Sequence, residues 1–221
     1  MSGRQIDILY EDNHLLVAIK PANMPSQADA SGDLDMLTYL KGYIKEKYEK
    51  PGEVYLGLVQ RLDRPTAGVM VFARTSKAAA RLQKQQQNGQ FQKVYHAILE
   101  GVPDDRGTLT DYLLKGRDNN VRVVPPDTPG AKQAILRYRL LEHSHGRSWV
   151  EIELITGRSH QIRVQFASRG MPLLGDARYG TGGQNLVLYA HKVRLFHPTK
   201  KDPMEFLSDE HIPRFQKLMK G

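Results

Sequence analysis

The sequence predicts an α+β protein with a mixed, mainly antiparallel sheet and flanking helices. Short segments with the apolar patterns typical of strands outnumber the segments with helical periodicity. Few segments follow the strand–helix–strand order that parallel sheets need. No repeat, low-complexity segment or long linker divides the 221 residues. We therefore expect a single domain over 1–221, with ample length for a hydrophobic core.

The first elements are two strands and a helix. Segments 6–10 and 15–20 are expected to pair antiparallel around a turn at 11–13. Ser31 or Asp33 is expected to cap a helix over 34–49, whose lysines are interpreted as a solvated face. The helix is indicated by apolar residues at helical spacing, namely Leu34, Leu37, Leu40 and Ile44.

The sequence places an acidic residue, Asp63, between Arg61 and Arg64, ahead of a turn and an apolar strand at 69–73. Nearby positive charge favours the ionised form of a carboxyl group. An ionised carboxylate on a sharp turn is placed to act as a nucleophile or a base. The alternative is a structural salt-bridge cluster at the start of the strand, since such ion pairs are common.

The rest of the chain continues the α+β pattern. Thr75 or Ser76 is expected to cap a helix that ends near Gln87, and Ser159 a helix over 160–168. A terminal helix is expected at about 211–220. The remaining strands are predicted at 93–100, 108–114, 121–124, 133–141, 149–155, 186–190, 193–196 and 204–207.

The composition favours a polyanionic partner and excludes several kinds of site. The net charge of +8 points towards nucleic acid. The absence of cysteine excludes disulfides, thiolate metal sites and cysteine nucleophiles. No signal peptide or membrane-spanning run is readable, so we expect a cytoplasmic protein. No metal or cofactor is predicted, because neither a phosphate loop nor a metal-binding spacing occurs around the histidines, including His143, His145, His191 and His197.

Five blocks of the sequence together resemble the RluA-type pseudouridine synthases. The segment Arg61-Leu62-Asp63-Arg64-Pro65-Thr66-Ala67-Gly68 is similar to that family's catalytic motif, His-Arg-Leu-Asp-x-x-Thr-Ser-Gly. Gln60 stands in place of the family's His, and Ala67 in place of its Ser. All five blocks occur along the chain in the family's order. The other four are Lys20-Pro21, Lys93-Val94-Tyr95, Thr156-Gly157-Arg158-Ser159-His160-Gln161-Ile162-Arg163 and Leu174-Gly175-Asp176-Ala177-Arg178-Tyr179-Gly180.

The resemblance implies a pseudouridine synthase fold with a central catalytic cleft, acting on ribosomal or transfer RNA without a cofactor. It assigns catalysis to Asp63, to Tyr95 beside it, and to Arg163 as the salt-bridge partner of Asp63. Without the resemblance, Tyr95 would be taken as an ordinary packed strand residue, and Arg163 as half of a surface ion pair. RNA contacts are expected from Arg61, Arg64, Arg158, His160, Gln161 and Arg178. The three at 158–161 either bind phosphate or hold their loop.

Many members of that family carry a small RNA-binding domain at the N-terminus. Because the strand at residue 6 begins at once, we expect that domain to be missing here, and we expect a monomer. Two other functions remain open at this point. One is a non-catalytic RNA-binding protein on the same fold. The other is a hydrolase that uses Asp63 as its nucleophile, although the sequence offers no second acid or base for it.

Overall fold

A computed structural model describes residues 5–183 and 185–220. These residues form two compact units. Unit 1 contains the described residues of Met1–Gln92 and Ala190–Ser208, and unit 2 those of Lys93–Tyr189 and Asp209–Gly221. The single catalytic domain over 1–221 stays a prediction. Within the described part of the chain, no helix has the length and apolar character needed to cross a membrane.

Strands make up most of the regular structure. In chain order, the elements are β1 (Ile8–Glu11), β2 (Leu15–Lys20), α1 (Met36–Lys47), β3 (Gly57–Leu58), β4 (Ala67–Ala73), α2 (Ser76–Gln87), β5 (Gln92–Glu100), β6 (Arg106–Lys115), β7 (Val121–Val124), β8 (Lys132–Ser144), β9 (Arg147–Leu154), α3 (Gln161–Ala167), β10 (Leu188–Phe196), β11 (Pro203–Leu207) and α4 (Ile212–Met219). The predicted α+β class is confirmed.

Unit 1 is built on a sheet with the strand order β1–β2–β4–β10, in which β3 also pairs with β4 and β11 with β10. The β2–β4 ladder is antiparallel, with Leu15 opposite Ala73 and Lys20 opposite Gly68. All six residues of β2 are buried. The first five of them are apolar, as expected for a central strand that is covered on both faces. Ala78 and Leu82 of α2 pack into the core that contains these strands.

The two helices of unit 1 begin at side-chain caps. Thr75 caps α2 by accepting a hydrogen bond from the Ala78 N–H at 3.1 Å, which confirms the predicted start. The cap of α1 is Asp35, which accepts from the Thr38 N–H at 3.0 Å, so the predicted caps Ser31 and Asp33 are wrong. Because the helix begins two residues later than expected, Leu34 lies outside it with 56% of its surface exposed.

Unit 2 has the strand order β5–β9–β8–β6–β7. The ladders β5–β9, β9–β8, β8–β6 and β6–β7 are all antiparallel. Val164 of α3 packs with Leu113, Val121 and Ala134 in one of its apolar clusters. The strands predicted at 186–190 and 193–196 are one continuous strand, β10, in which the polar Lys192 keeps the antiparallel pairing with Leu207 of β11.

Helix α3 starts differently from the prediction. Its N-cap is His160, which lies in the left-handed region at φ 51° and makes no side-chain capping bond, so the predicted Ser159 cap is wrong. The side chain of Gln161 fixes the turn before the helix instead. Its Oε1 accepts from the Arg158 N–H at 3.0 Å and from the Thr156 hydroxyl at 2.8 Å. Ile162 and Phe166 face the core, as predicted.

Asp12 joins the β1–β2 turn of unit 1 to the segment after β10. It accepts hydrogen bonds from the backbone N–H groups of His14 and Leu15, both at 2.7 Å, and from His197 Nε2 at 2.8 Å. Burial alone would raise the pKa of Asp12, but these hydrogen bonds outweigh it and lower the pKa to about 2.

We predict that Asp12 makes folding dependent on pH. Because its pKa is lower in the folded chain, its contribution to stability is complete above about pH 5 and lost as the pH falls towards 2. The contribution is on the order of 2 kcal/mol. Urea unfolding of Asp12→Asn should therefore show a deficit relative to wild type at pH 7 that shrinks in acid. A deficit that stays constant from pH 7 to pH 3 would contradict this assignment.

Candidate active site

The segment that carries Asp63 forms a hydrogen-bonded turn ahead of β4. The Thr66 N–H donates to the Asp63 carbonyl at 2.9 Å, which closes the turn around Arg64 and Pro65. Leu62 is buried, and Asp63 is half-buried. The acidic side chain is therefore carried by a turn that is tied directly to a buried strand, as the sequence predicted.

The segment from Lys20 to Ser26 holds this turn in place. The Lys20 ammonium donates to the carbonyls of Pro21 at 3.0 Å, Met24 at 2.6 Å and Arg64 at 3.0 Å. The Ser26 hydroxyl donates to the Leu62 carbonyl at 2.8 Å and accepts from the Leu62 N–H at 3.1 Å. Backbone groups on both sides of Asp63 are therefore fixed by a second segment of unit 1.

Lys20 is also an electrostatic partner of Asp63. Its side chain is fully buried. Burial lowers the pKa of Lys20 to about 7, the Asp63 carboxylate opposes this shift, and Arg64 adds to it. From the sequence, Lys20 was expected only to end a strand and had no predicted role. A lysine that ends an otherwise fully apolar strand was the available signal, because lysine is almost never buried without partners.

Arg64 points towards other acidic residues. Its guanidinium contacts the Asp33 carboxylate, donates to the Ser31 hydroxyl at 2.9 Å and lies 3.8 Å from Asp29. The expectation that Arg61 and Arg64 keep Asp63 ionised stays a prediction, and the charge of Arg64 is also shared with the loop at 29–33. Arg61 is exposed.

The two departures from the family motif lie beside the same turn. Gln60 donates from Nε2 to the Val69 carbonyl at 3.1 Å, so it still ties the start of the loop to β4. An amide makes this bond without the titration near neutral pH that a histidine would bring. Ala67 is the first residue of β4.

Gly68 is required where β4 leaves the turn. Its φ is +124°, and a Cβ placed there would lie 2.3 Å from the Ala190 carbonyl oxygen. Backbone atoms cannot move away as a flexible side chain can, so any side chain here displaces β4 or β10.

We predict that Gly68→Ala destabilises the chain by roughly 3 kcal/mol or more, because it combines overpacking with backbone strain. Gly89→Ala is the matched control. Gly89 also has a positive φ, +70°, but no described atom lies within 4 Å of the added Cβ. The Gly89→Ala substitution should lower the free energy of unfolding by only about 1 kcal/mol. Denaturant unfolding of the two variants tests this difference, and equal losses would show that the clash with Ala190 is relieved easily.

Arg163 is buried in unit 2 rather than exposed, with 6% of its surface accessible. It makes a bidentate ion pair with Asp176, with Nε donating at 2.8 Å and Nη2 at 2.7 Å. The reading of Arg163 as half of a surface ion pair is therefore wrong. The salt bridge between Arg163 and Asp63 stays a prediction.

Asp176 is held in its ionised form. Burial would raise the pKa of Asp176, but the hydrogen bonds from Arg163 and from the backbone N–H groups of Arg178 and Tyr179 lower it overall. The Arg163 guanidinium also lies over the Tyr179 ring, 5.1 Å from its centroid. In the sequence, Asp176 was recognisable only as part of a family block, and its pairing with Arg163 was not predicted.

The residues around α3 divide between structural and exposed positions. Gln161 is 2% exposed, and its amide makes hydrogen bonds with Thr156, Arg158 and the Ile135 carbonyl. It therefore holds its loop, which is one of the two roles that the sequence predicted for it. His160 Nδ1 lies 2.6 Å from the Tyr179 hydroxyl. Arg158 is exposed while its Nε donates to the Gln133 carbonyl at 2.8 Å.

The remaining predicted site residues also lie in unit 2. Arg178 is exposed and donates to the Asn119 carbonyl at 3.1 Å. Tyr95 is buried in β5, with 6% of its surface accessible, opposite Ile152 of β9. Asp63 belongs to unit 1, whereas Tyr95 and Arg163 belong to unit 2.

An acid on a clamped turn, a buried arginine–carboxylate pair and an antiparallel α+β fold agree with the class that the sequence resembles. The family model for RNA pseudouridylate synthases matches residues 14–168, a span that includes Asp63, Tyr95 and Arg163. The chain belongs to this family, in its RluA-type branch.

Relatives at moderate identity support the assignment. An uncharacterized RNA pseudouridine synthase of Bacillus subtilis (strain 168) is 37% identical over 88% of this chain. Ribosomal large subunit pseudouridine synthase D of Zymomonas mobilis is 31% identical over 97% of this chain and 71% of its own length. The solved structure of human RNA pseudouridylate synthase domain containing 4 has the same fold, with a TM-score of 0.78 at 24% identity over 96% of this chain and 92% of that one.

The chain is shorter than several of these relatives. It spans 65% of the Bacillus protein, and 64% of ribosomal large subunit pseudouridine synthase C of Buchnera aphidicola.

Proposed function

We propose that this chain is an RNA pseudouridine synthase, with Asp63 as the carboxylate that starts the reaction. The observation that carries the proposal is the Asp63 turn itself, which lies in the family's catalytic motif and is held by the buried Lys20 ammonium and the Ser26 hydroxyl. Pseudouridine formation breaks the bond between uracil nitrogen and the ribose, and forms a bond from uracil C5 to the same sugar carbon. The proton on C5 is lost and the freed nitrogen gains one, so no cofactor is needed.

The remaining residues have supporting roles in this proposal. Tyr95 contacts the target base, which must be flipped out of folded RNA at a cost of about a few kcal/mol. Arg163, fixed by Asp176, stabilises charge on Asp63. Exposed arginines at 61, 64, 158 and 178 bind phosphates, and ribosomal RNA is the favoured substrate because named relatives act on the large ribosomal subunit. A monomer in the cytoplasm stays a prediction.

The test is release of tritium from RNA that carries [5-³H]uridine, with the purified chain and no added cofactor. Release, together with RNA of unchanged mass that contains pseudouridine, supports the proposal. A non-catalytic RNA-binding protein would bind the RNA without release. A hydrolase would change its mass.

Tyr95 allows a separate prediction about the target base. Tyr95→Phe keeps the ring that stacks on the base and loses the hydroxyl, while Tyr95→Ala loses both. If stacking is the role of Tyr95, single-turnover rates should stay close to wild type in the first variant and fall strongly in the second. A nearly inactive Phe variant would instead assign proton transfer to the phenol, and wild-type rates in both would place Tyr95 in the ordinary core.

A further inference from the structure

Unit 1 contains a concave site away from the Asp63 turn. It is a groove of about 440 Å³ between α2 and the segment that follows β10. Its lining residues are Arg81, Gln85, Gln90, Phe196, His197, Pro198, Thr199 and Lys201. The volume lies within the range of ligand pockets, about 300–1,000 Å³.

The walls of this groove are fixed by hydrogen bonds. Gln85 pairs with the backbone of Phe196 in both directions, donating at 2.7 Å and accepting at 2.9 Å. His197 Nδ1 accepts hydrogen bonds from the N–H groups of Thr199 at 3.1 Å and Lys200 at 2.8 Å. Because Nδ1 is an acceptor, the ring proton is on Nε2, which lies 2.8 Å from Asp12. The groove is therefore preformed, and a ligand need not order it on binding.

The charge of the groove favours an anion. Arg81 and Lys201 are exposed on its edges, and no acidic side chain occurs among its described lining residues. The Arg81 guanidinium is oriented by hydrogen bonds to the Pro198 carbonyl at 3.0 Å and the Thr199 hydroxyl at 3.2 Å. The sequence from 64 to 99 contains no Asp or Glu, but it contains Arg64, Arg74, Lys77, Arg81, Lys84 and Lys93.

The groove also offers an aromatic surface. Phe196 lines it with 39% of its surface exposed. A basic groove with an exposed aromatic ring is the combination on which single-stranded nucleic acid binds, with phosphates on the cations and a base on the ring.

The groove lies at the opposite end of β2 from the catalytic turn. The Asp12–His197 hydrogen bond fixes it near Leu15, while Lys20, five residues further along the strand, contacts the Asp63 turn. Five strand residues span about 17 Å. A ligand in the groove is therefore separate from the target base and can be a distant part of the same RNA.

We propose that this groove binds a single-stranded part of the substrate RNA, with phosphates on Arg81 and Lys201 and a base against Phe196. The proposal rests on the proposed function for the choice of ligand. RNA binding by the groove is measured as an affinity, which does not depend on isomerisation. A chain that is inactive in the tritium assay is therefore distinguishable from a groove that does not bind RNA.

The test uses fluorescein-labelled oligouridylate of 30 nucleotides, with affinity measured by anisotropy across a salt series. The double variant Arg81→Gln/Lys201→Asn removes both charges. Asn suits position 201, where φ is +67°. The matched control, Lys45→Gln/Lys50→Gln, removes two charges from exposed positions in and after α1. Circular dichroism and thermal midpoints check that both proteins are folded.

We expect the groove variant to raise Kd about tenfold and to reduce the salt slope by about 1.4, or 0.7 for each lost phosphate contact. Arg81→Lys alone should keep the slope, because it keeps the charge. Phe196→Leu should weaken binding without changing the slope, and ultraviolet cross-linking of the wild type should attach uridine to Phe196.

A groove variant that matches the control in Kd and slope overturns the proposal, as does cross-linking that never reaches residues 81–90 or 196–201. If the true occupant of the groove were an acidic protein, the groove variant would bind oligouridylate as tightly as the control does. That result would therefore also contradict RNA binding in the groove.

Discussion

Replacing Asp63 with Asn is expected to reduce the rate of pseudouridine formation by on the order of a thousandfold or more. The substitution keeps the shape of the side chain and removes the negative charge that acts as nucleophile or base. RNA affinity should change only a few-fold, because the phosphate contacts are made by other residues. Single-turnover rates with saturating enzyme measure the chemical step separately from binding.

Glu46→Gln provides the control for loss of one negative charge. Glu46 is an exposed residue of α1, so its removal should leave the rate unchanged. If both Asp63→Asn and Glu46→Gln retained rates comparable with wild type, Asp63 would not be the catalytic carboxylate, and another residue would have to take that role.

Arg163→Met is expected to have the second largest effect, on two properties at once. The chemical step should slow by about 10²–10³-fold, because a preorganised positive charge is lost from the reacting state. Stability should fall by about 3–5 kcal/mol, because Asp176 is left ionised and buried without its bidentate partner. Rates must therefore be measured well below the thermal midpoint of the variant.

Two further variants separate these effects. Arg163→Lys keeps the charge and loses the forked geometry, so it should recover part of the rate. Asp176→Asn leaves Arg163 charged but removes the carboxylate that orients it, and should lower the maximal rate with little change in RNA affinity. If Arg163→Met instead weakened RNA binding severely while the rate in the bound complex stayed normal, Arg163 would be a phosphate contact.

Much of the fold was readable because its elements carry strong local signals. The apolar run of β4, the Thr75 cap and the good helix formers of α2 agree in pattern and propensity, and their predicted boundaries differ little from the structure. The cap of α1 was missed because Ser31, Asp33 and Asp35 all precede the helix and all suit an N-cap. Asp35 is favoured by its bonds to both the N–H and the hydroxyl of Thr38. The Gln161 side chain replaces a conventional cap.

The site was predictable only where one segment of sequence contains the chemistry. The Asp63 turn is such a segment. The contact of Arg163 with Asp176, by contrast, joins positions 13 residues apart through a turn whose geometry no local pattern specifies. Lys20 and Arg64 show the same limit, because their partners are backbone carbonyls and acids from another part of the chain. Charge spacing along the sequence therefore did not identify Lys20 as an electrostatic partner of Asp63.

The most direct measurement of the central claim is a pseudouridine map of total RNA from cells that lack this gene, supplied with either the wild-type chain or Asp63→Asn at equal protein levels. The proposal predicts one or more uridines that are converted only in cells with the wild-type chain. Identical maps for wild type, Asp63→Asn and the empty control would contradict an RNA pseudouridine synthase that depends on Asp63.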